Sequence, residues 1–383
     1  MNLKRLLPVL LFCFVFSCKN EKTKQLQTSI TGNPTVLKYA QGFIVEDYGS
    51  YKILEIKNPW PNAEKTYRYA LLKANHDTDF WAAEKSKFDG VFNIPVNNIV
   101  VTSTTHIPAL DLLGEAESLT GFPGTDYISS EKIRSQIKKG KVRELGVNEN
   151  LNTEVVLELK PNLVVGFGID GNNRTFEVLK KVGIPIIYNG DWVENSPLAK
   201  AEWIKFFGAL FNKETQADSI FNSIESHYLE VKKLAKNATT KPTVLSGAMH
   251  KDIWYLPNGT STEAQLLNDA NAHYLWRNTN GTGSLSLNFE SVYTKAKDAD
   301  IWLSPSNYVS MKALEAANTQ HALFKAFKTK NIYSFIKTTG ESGGIVYFEE
   351  GTARPDLVLK DLIKICHPEL LENYDLYFFK DLN

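Results

Sequence analysis

The stretch Leu151-Asn152-Thr153-Glu154-Val155-Val156 returns in the second half of the chain as Leu287-Asn288-Phe289-Glu290-Ser291-Val292, with four of six positions identical. Each copy leads into a short apolar run, Leu163-Val164-Val165 after the first and Ile301-Trp302-Leu303 after the second. A repeat with the same sequel predicts two similar lobes. Each lobe presents one glutamate at the start of a helix, where the helix dipole favours a carboxylate.

Outward from the repeat, short β-branched strands alternate with helical stretches. Asn98 to Thr102 reads as a strand and Ile107 to Leu113 as a helix closing on Gly114. Thr153 to Leu159 and Phe176 to Val182 read as helices, and Ile184 to Tyr188 as a strand. The alternation resumes with Thr243-Val244-Leu245, Glu263 to Leu267, Ile301 to Leu303, Ile332 to Phe335 and a last helix over Pro355 to Ile365. This grammar indicates parallel sheets covered on both faces.

Between the halves, Ser196-Pro197 opens the longest helical segment: serine caps free N–H groups and proline suits the first helical position. The segment breaks at Asn212-Lys213 and continues to about Ala235, with Ile220, Ile224, Tyr228, Val231 and Leu234 on one face. A helix of ~25 residues spans nearly 40 Å and joins lobes rigidly. Ahead of the first lobe, the aromatic, alternating runs between Thr35 and Asn93 predict a small antiparallel sheet.

Lys4 and Arg5 precede the apolar run Leu6 to Phe16, and Ser17 stands before Cys18. These are the parts of a secretory signal, too short to span a bilayer. They resemble a bacterial lipobox, in which Cys18 carries lipid and becomes the mature N-terminus; a plain signal peptide cut nearby is the alternative. Lys19 to Gly32 reads as a polar tether. No later apolar stretch approaches the ~20 residues of a spanning helix, so the anchor alone is expected to hold the chain to a membrane. With Cys13 lost and Cys18 acylated, Cys366 remains as a buried packing thiol and no intramolecular disulfide forms. Forty-three basic and 43 acidic residues cancel, with no basic block, which argues against nucleic acid.

Several further stretches carry a family pattern. They are Val101-Thr102-Ser103-Thr104 before the helix ending at Leu113-Gly114, and Leu159-Lys160-Pro161-Asn162-Leu163-Val164. Later come Trp254-Tyr255-Leu256-Pro257-Asn258-Gly259, Leu266-Leu267-Asn268-Asp269-Ala270, Arg354-Pro355-Asp356-Leu357-Val358-Leu359 and His367-Pro368-Glu369-Leu370. In this order they resemble the periplasmic substrate-binding proteins of ABC importers for iron-siderophore complexes, haem and cobalamin. The resemblance runs from Asn98 to the C-terminus.

It implies an α/β fold of two Rossmann-like lobes joined by a long rigid helix, with the ligand in the cleft between them and the small N-terminal sheet as an extra. The expected organisation is a lipoprotein signal over 1–17 and a tether over 18–34. An N-terminal lobe follows over 35–195, with its β extension over 35–95, then an inter-lobe helical segment over 196–236 and a C-terminal lobe over 237–383.

The resemblance further implies that Glu154 and Glu290 dock onto arginines of an ABC permease dimer driven by a cytoplasmic ATPase, with the binding protein a periplasmic, lipid-anchored monomer. Charge pairs at a transient interface chiefly set orientation and association rate. Ligand contacts are expected from loops at the strand ends: Thr104, Thr105 and His106, Tyr127, Trp254 and Tyr255, Tyr347, Phe348 and Arg354. Flat aromatic faces suit macrocycles and catecholate rings, and an arginine suits an anionic siderophore. Cobalamin receptors of the family carry a tryptophan six residues before each docking glutamate; here Asn148 and Ser284 stand there, which favours a siderophore or another chelate.

Gly340-Glu341-Ser342-Gly343-Gly344 satisfies a nucleophile-elbow pattern, which needs a strand before it and a helix after. Ile345 to Phe348 reads as extended, so a glycine loop at the cleft is expected instead. The seven histidines show no metal-site pairing and no CxxC or Walker motif occurs. The expectation is a binding protein with no catalytic residues, no metal site and no resident cofactor. An exported enzyme acting on a chelate or cofactor, and a structural surface lipoprotein, remain as alternatives.

Overall fold

The computed structural model describes residues 32–383; the signal sequence and Cys18 lie outside them. The chain first lays down β1 (Asn33–Pro34), β2 (Phe43–Asp47), β3 (Tyr51–Ile56) and β4 (Tyr67–Leu72), each antiparallel to the last. The expectation of a purely antiparallel sheet fails at its fifth strand. Helix α1 (Thr78–Glu84) carries the chain across one face, so β5 (Gly90–Asn93) joins β4 in parallel. Asp77 starts α1 by accepting the N–H groups of Asp79 and Phe80, and Trp81 buries its ring against Ile53, Ala70 and Leu72. A seven-residue helix with one buried aromatic is too short to announce itself by periodicity.

The N-terminal lobe follows as β6 (Ile99–Val101), α2 (Ile107–Leu112), β7 (Leu119–Phe122), α3 (Glu131–Lys138), β8 (Arg143–Glu144), β9 (Gly146–Val147), β10 (Asn150–Leu151), α4 (Thr153–Leu159), β11 (Leu163–Phe167), α5 (Arg174–Lys181) and β12 (Ile186–Asn189). Its main sheet runs β12-β11-β6-β7-β8, every pair parallel. Alternate side chains serve different cores: Ile99, Val101, Leu163 and Val165 enter the larger one, Val100, Val164 and Tyr188 the smaller. Burial on both faces explains why these strands read as unbroken apolar runs.

Three helices lead to the second lobe: α6 (Pro197–Glu202), α7 (Ile204–Phe211) and α8 (Glu214–Ala235). Ser196 Oγ caps α6 by accepting the Ala199 N–H at 3.1 Å, and Asn212 ends α7 in the left-handed conformation. The expected single helix up to Phe211 is split at Trp203, whose Nε1 donates to Glu194 at 3.0 Å. Helix α8 has 22 residues and a length of about 33 Å. Its Phe221 and Ile224 belong to the first lobe's core, and its Tyr228 and Ala235 to the second's. One regular helix therefore sits in both cores, and bending between the lobes would break apolar packing at both ends.

The second lobe comprises β13 (Thr243–Ser246), β14 (Ala248–His250), β15 (Ile253–Pro257), α9 (Thr262–Asp269), β16 (His273–Tyr274), β17 (Ser284–Leu287), α10 (Phe289–Ala296), β18 (Ile301–Leu303), α11 (Met311–Ala317), α12 (Lys325–Lys328), β19 (Ile332–Ser334), α13 (Val346–Glu350), α14 (Pro355–Cys366) and β20 (Lys380–Asp381). Its main sheet runs β16-β13-β18-β19-β20, parallel except for the last pair. A three-stranded antiparallel sheet, β14-β15-β17, stands beside it. Cys366 packs in this lobe's core, and burial pushes its thiol up to about 12.

Candidate functional site

The repeat around Glu154 and Glu290 folds twice into the same unit. In each copy a strand ends at the leucine, the asparagine caps a helix, and a parallel strand of the main sheet follows: β10-α4-β11 and β17-α10-β18. Asn152 Oδ1 accepts the Val155 N–H at 3.2 Å, and Asn288 Oδ1 accepts the Ser291 N–H at 2.9 Å. Glu154 and Glu290 thus occupy matching places, each exposed in the first helical turn.

Open α/β sheets bind ligands beyond the carboxyl ends of their strands, and the second lobe has a pocket of about 320 Å³ there. Ser246 and Gly247 close β13, Leu303 and Ser304 close β18, and Phe335 follows β19. Tyr255 enters from β15, Glu263 from the first turn of α9, and Tyr347 and Phe348 from α13. Backbone geometry demands glycine at position 247: its φ is +78°, and a Cβ would lie 1.9 Å from Tyr255 O. The same junction is tied from beneath, since Trp254 Nε1 donates to Ser246 O at 3.1 Å and Trp302 Nε1 to Gly247 O at 2.8 Å.

The pocket continues toward the first lobe as a space of about 220 Å³, which shares Glu263, Tyr347 and Phe348 and adds Thr105 and Lys200. Behind Thr105 and Lys200 lies the buried Asp191. Burial raises its carboxyl to about 6, against the pull of Lys200 and a hydrogen bond from Thr105.

The segment around α13 also closes one side of the cleft. Glu349, 2 % exposed, accepts the Ser129 N–H at 2.6 Å and the Ser130 N–H at 3.0 Å across the lobes. Ser129 Oγ donates to Gly344 O at 3.2 Å, and Lys138 pairs with Glu341 at 2.6 Å.

The structure brings Thr105, Tyr255, Tyr347 and Phe348 to this continuous space. Thr104 sits at the seam between the lobes, its hydroxyl 3.5 Å from Phe348 O. Tyr127 is largely exposed on the first-lobe loop facing the glycine turn.

Three expected contacts lie elsewhere. Trp254 is fully buried, packed edge-on or tilted against Trp302, His321 and Phe324. A strand turns alternate side chains to opposite faces, so β15 sends Trp254 and Leu256 into the core and Tyr255 to the pocket. His106 is likewise buried against Phe207, with neither ring nitrogen hydrogen-bonded, and desolvation lowers its pKa to about 3. A neutral ring with no outlet is a packing group. Arg354 opens onto the groove between α8 and α14, its guanidinium held by both oxygens of Asp356 at 2.9 and 2.8 Å.

Ile345 to Phe348 differ from the expected extended run. They lead into the short helix α13, because Val346 and Tyr347 pack on the core while Glu349 turns to the other lobe. A helix now follows the GxSxG turn, but β19 ends at Ser334 and no strand leads directly into it, and Ser342 Oγ donates to Asp126 O at 2.5 Å. Asp361 is committed to Tyr374 and to the N–H groups of Tyr377, Phe378 and Phe379, and His367 to Ala270 O. Among the described residues, no three His, Cys, Asp or Glu side chains converge as a metal-binding group, and no helix is long and apolar enough to cross a membrane.

Glu263, Lys200, Phe335 and the Ser246-Gly247 junction line the candidate site without being among the contacts expected from sequence. The signal for Ser246-Gly247 was its position just past an apolar strand, where α/β sheets bind.

Three kinds of comparison place the chain. An uncharacterized lipoprotein of Methanocaldococcus jannaschii is 29 % identical over 100 % of this chain and 97 % of its own length. Among solved structures, a possible iron-binding (periplasmic solute-binding) protein from Staphylococcus epidermidis superposes with a TM-score of 0.55 at 19 % identity, covering 71 % of this chain and 99 % of that one. A periplasmic heme binding protein from Pseudomonas aeruginosa does so with 0.56 at 16 % identity, covering 75 % and 98 %. These two share the fold. Residues 99–337, from the first strand of the N-terminal lobe to just beyond β19, match the family described as periplasmic binding protein, and the chain belongs to that family.

Proposed function

We propose that this chain is the substrate-binding component of an ABC importer, capturing a metal chelate between its lobes and delivering it to a permease dimer powered by a cytoplasmic ATPase. The observation that carries the reading is the pair Glu154 and Glu290: exposed, in the same turn of equivalent β–α–β units on two lobes held by one helix. Two carboxylates so placed suit a partner with two matching basic sites. The space lined by Thr105, Tyr255, Tyr347 and Phe348 is the ligand site, with Thr104 and Tyr127 at the lobe seam.

The chelate class is supported by the similar structures of a possible iron-binding protein and a periplasmic heme binding protein. Extracytoplasmic anchoring through Cys18 is supported by the relative called a lipoprotein. The protein acts by binding, as a monomer, and the chelate passes through unchanged.

Titrating the purified mature chain with ferric siderophores, haem and cobalamin, read by thermal shift and tryptophan fluorescence, tests this. One class is expected to stabilise the fold, by ~2.7 kcal/mol at a hundred times its Kd. Chemical conversion of a bound compound by catalytic amounts of protein would replace the reading with an enzyme.

A further inference from the structure

We propose that the Glu263 carboxylate selects the ligand by charge, so that the pocket takes a chelate presenting a cationic group and disfavours polyanionic catecholate complexes. The inference rests on the receptor reading and deepens it.

Glu263 lines both the pocket and its extension toward the first lobe. It therefore stands where the pocket meets its extension. Among the described residues the carboxylate has no ion-pair partner, and no Lys, Arg or His lines the larger pocket. Arginine, the group expected to meet an anionic siderophore, is absent because Arg354 is held by Asp356 in another groove. The one cation of the extension, Lys200, also borders the buried Asp191, whose proton affinity it lowers. The larger pocket is therefore lined by one free negative charge and no cation.

The aromatic wall points the same way. Phe335 and Tyr347 stack with centroids 5.1 Å apart, and Phe348 meets Phe335 edge-on at 5.0 Å. Ring faces carry negative potential and attract ammonium groups. The field of Glu263 reaches this wall: burial first, and then its charge, hold the Tyr347 phenol above the usual range. Glu263 lies in the first turn of α9.

The test compares wild type, Glu263→Gln and Glu263→Lys by tryptophan fluorescence with three ferric probes. They are ferrioxamine B, a trishydroxamate with a pendant ammonium; ferrichrome, a neutral trishydroxamate; and ferric enterobactin, a trianionic triscatecholate. Glu263 is exposed and unpartnered, so all three proteins are expected to unfold at the same temperature.

Wild type is expected to bind ferrioxamine B about tenfold more tightly than ferrichrome, a difference of about 1.4 kcal/mol, with the triscatecholate weakest. Glu263→Gln should bring the first two to within about twofold, and Glu263→Lys should invert the order. Equal or tighter binding of the triscatecholate by wild type overturns the inference, as does an unchanged preference in Glu263→Gln. Binding of haem or cobalamin with none of the ferric probes leaves the receptor reading standing and overturns this one. Binding of no chelate at all removes both.

Discussion

The Glu349 carboxylate of the second lobe receives the backbone N–H of Ser130 in the first at 3.0 Å, at the N-cap of α3, while also taking the Ser129 N–H. Both oxygens are engaged, yet burial, with Glu350 and Asp111 nearby, raises this carboxyl to about 7. Two backbone donors favour the ion, and loss of water outweighs them.

This contact makes the lobe seam sensitive to pH. A carboxyl raised on folding binds its proton more tightly in the native state, so its contribution is complete below the ordinary range near 4.5 and is lost as pH rises through about 7. Relative to Glu349→Gln, wild type is expected to lose on the order of 3 kcal/mol between pH 4.5 and pH 8. Thermal melts of both proteins across that range measure it, as a relative fall in Tm on the order of 5 °C.

Trp254 and Tyr255 are neighbours in sequence and should fail differently. Trp254→Ala empties the core under the pocket floor and is expected to cost ~3–5 kcal/mol in a denaturant titration. Tyr255→Ala removes a half-exposed wall and should leave stability within about 0.5 kcal/mol. Its effect belongs in the fluorescence titration, as weaker binding of whichever chelate the screen identifies. Equal stability losses for the two would contradict the strand alternation.

Reversing Glu154 and Glu290 together tests the docking role proposed for them. Glu154→Arg with Glu290→Arg is expected to abolish uptake in a reconstituted importer while ligand affinity stays at the wild-type value. Each side chain is exposed in a first helical turn, so the stability loss should stay near 1 kcal/mol per site. Loss of ligand affinity in the double variant would move these residues into the binding site.

Cys366 gives a simple probe of the second lobe. Its thiol is buried and pushed up to about 12, and the thiolate is the reactive form. In the chain from Gly32 onward, a thiol reagent at pH 8 should label nothing until denaturant unfolds the lobe. Rapid labelling of native protein would place Cys366 outside the core.

Much of the architecture was legible in sequence because it rests on local rules. Unbroken apolar runs such as Leu163-Val164-Val165 mark strands buried on both faces, Ser196-Pro197 marks a helix start, and the repeat around Glu154 and Glu290 marks two lobes. The short helices α1 and α13 escaped, since a turn or two leaves too few residues for a helical period to differ from a strand's.

The binding residues were harder, and Trp254, His106 and Arg354 show why. All three carry groups able to hold a chelate. Which face of β15 meets the core, whether the ring after Thr105 reaches Phe207, and which partner claims the guanidinium are decided by packing between segments far apart in the chain.

By itself the sequence determined the parallel α/β lobes, the helix between them and the equivalent glutamates, because periodicity and caps act over a few residues. Only the tertiary structure decided that Glu263 and not Arg354 faces the ligand space, and that Glu349 closes one side of it. Those outcomes depend on which charge is partnered and which is left free when distant elements meet, and a carboxylate carries no local mark of that in its own stretch of chain.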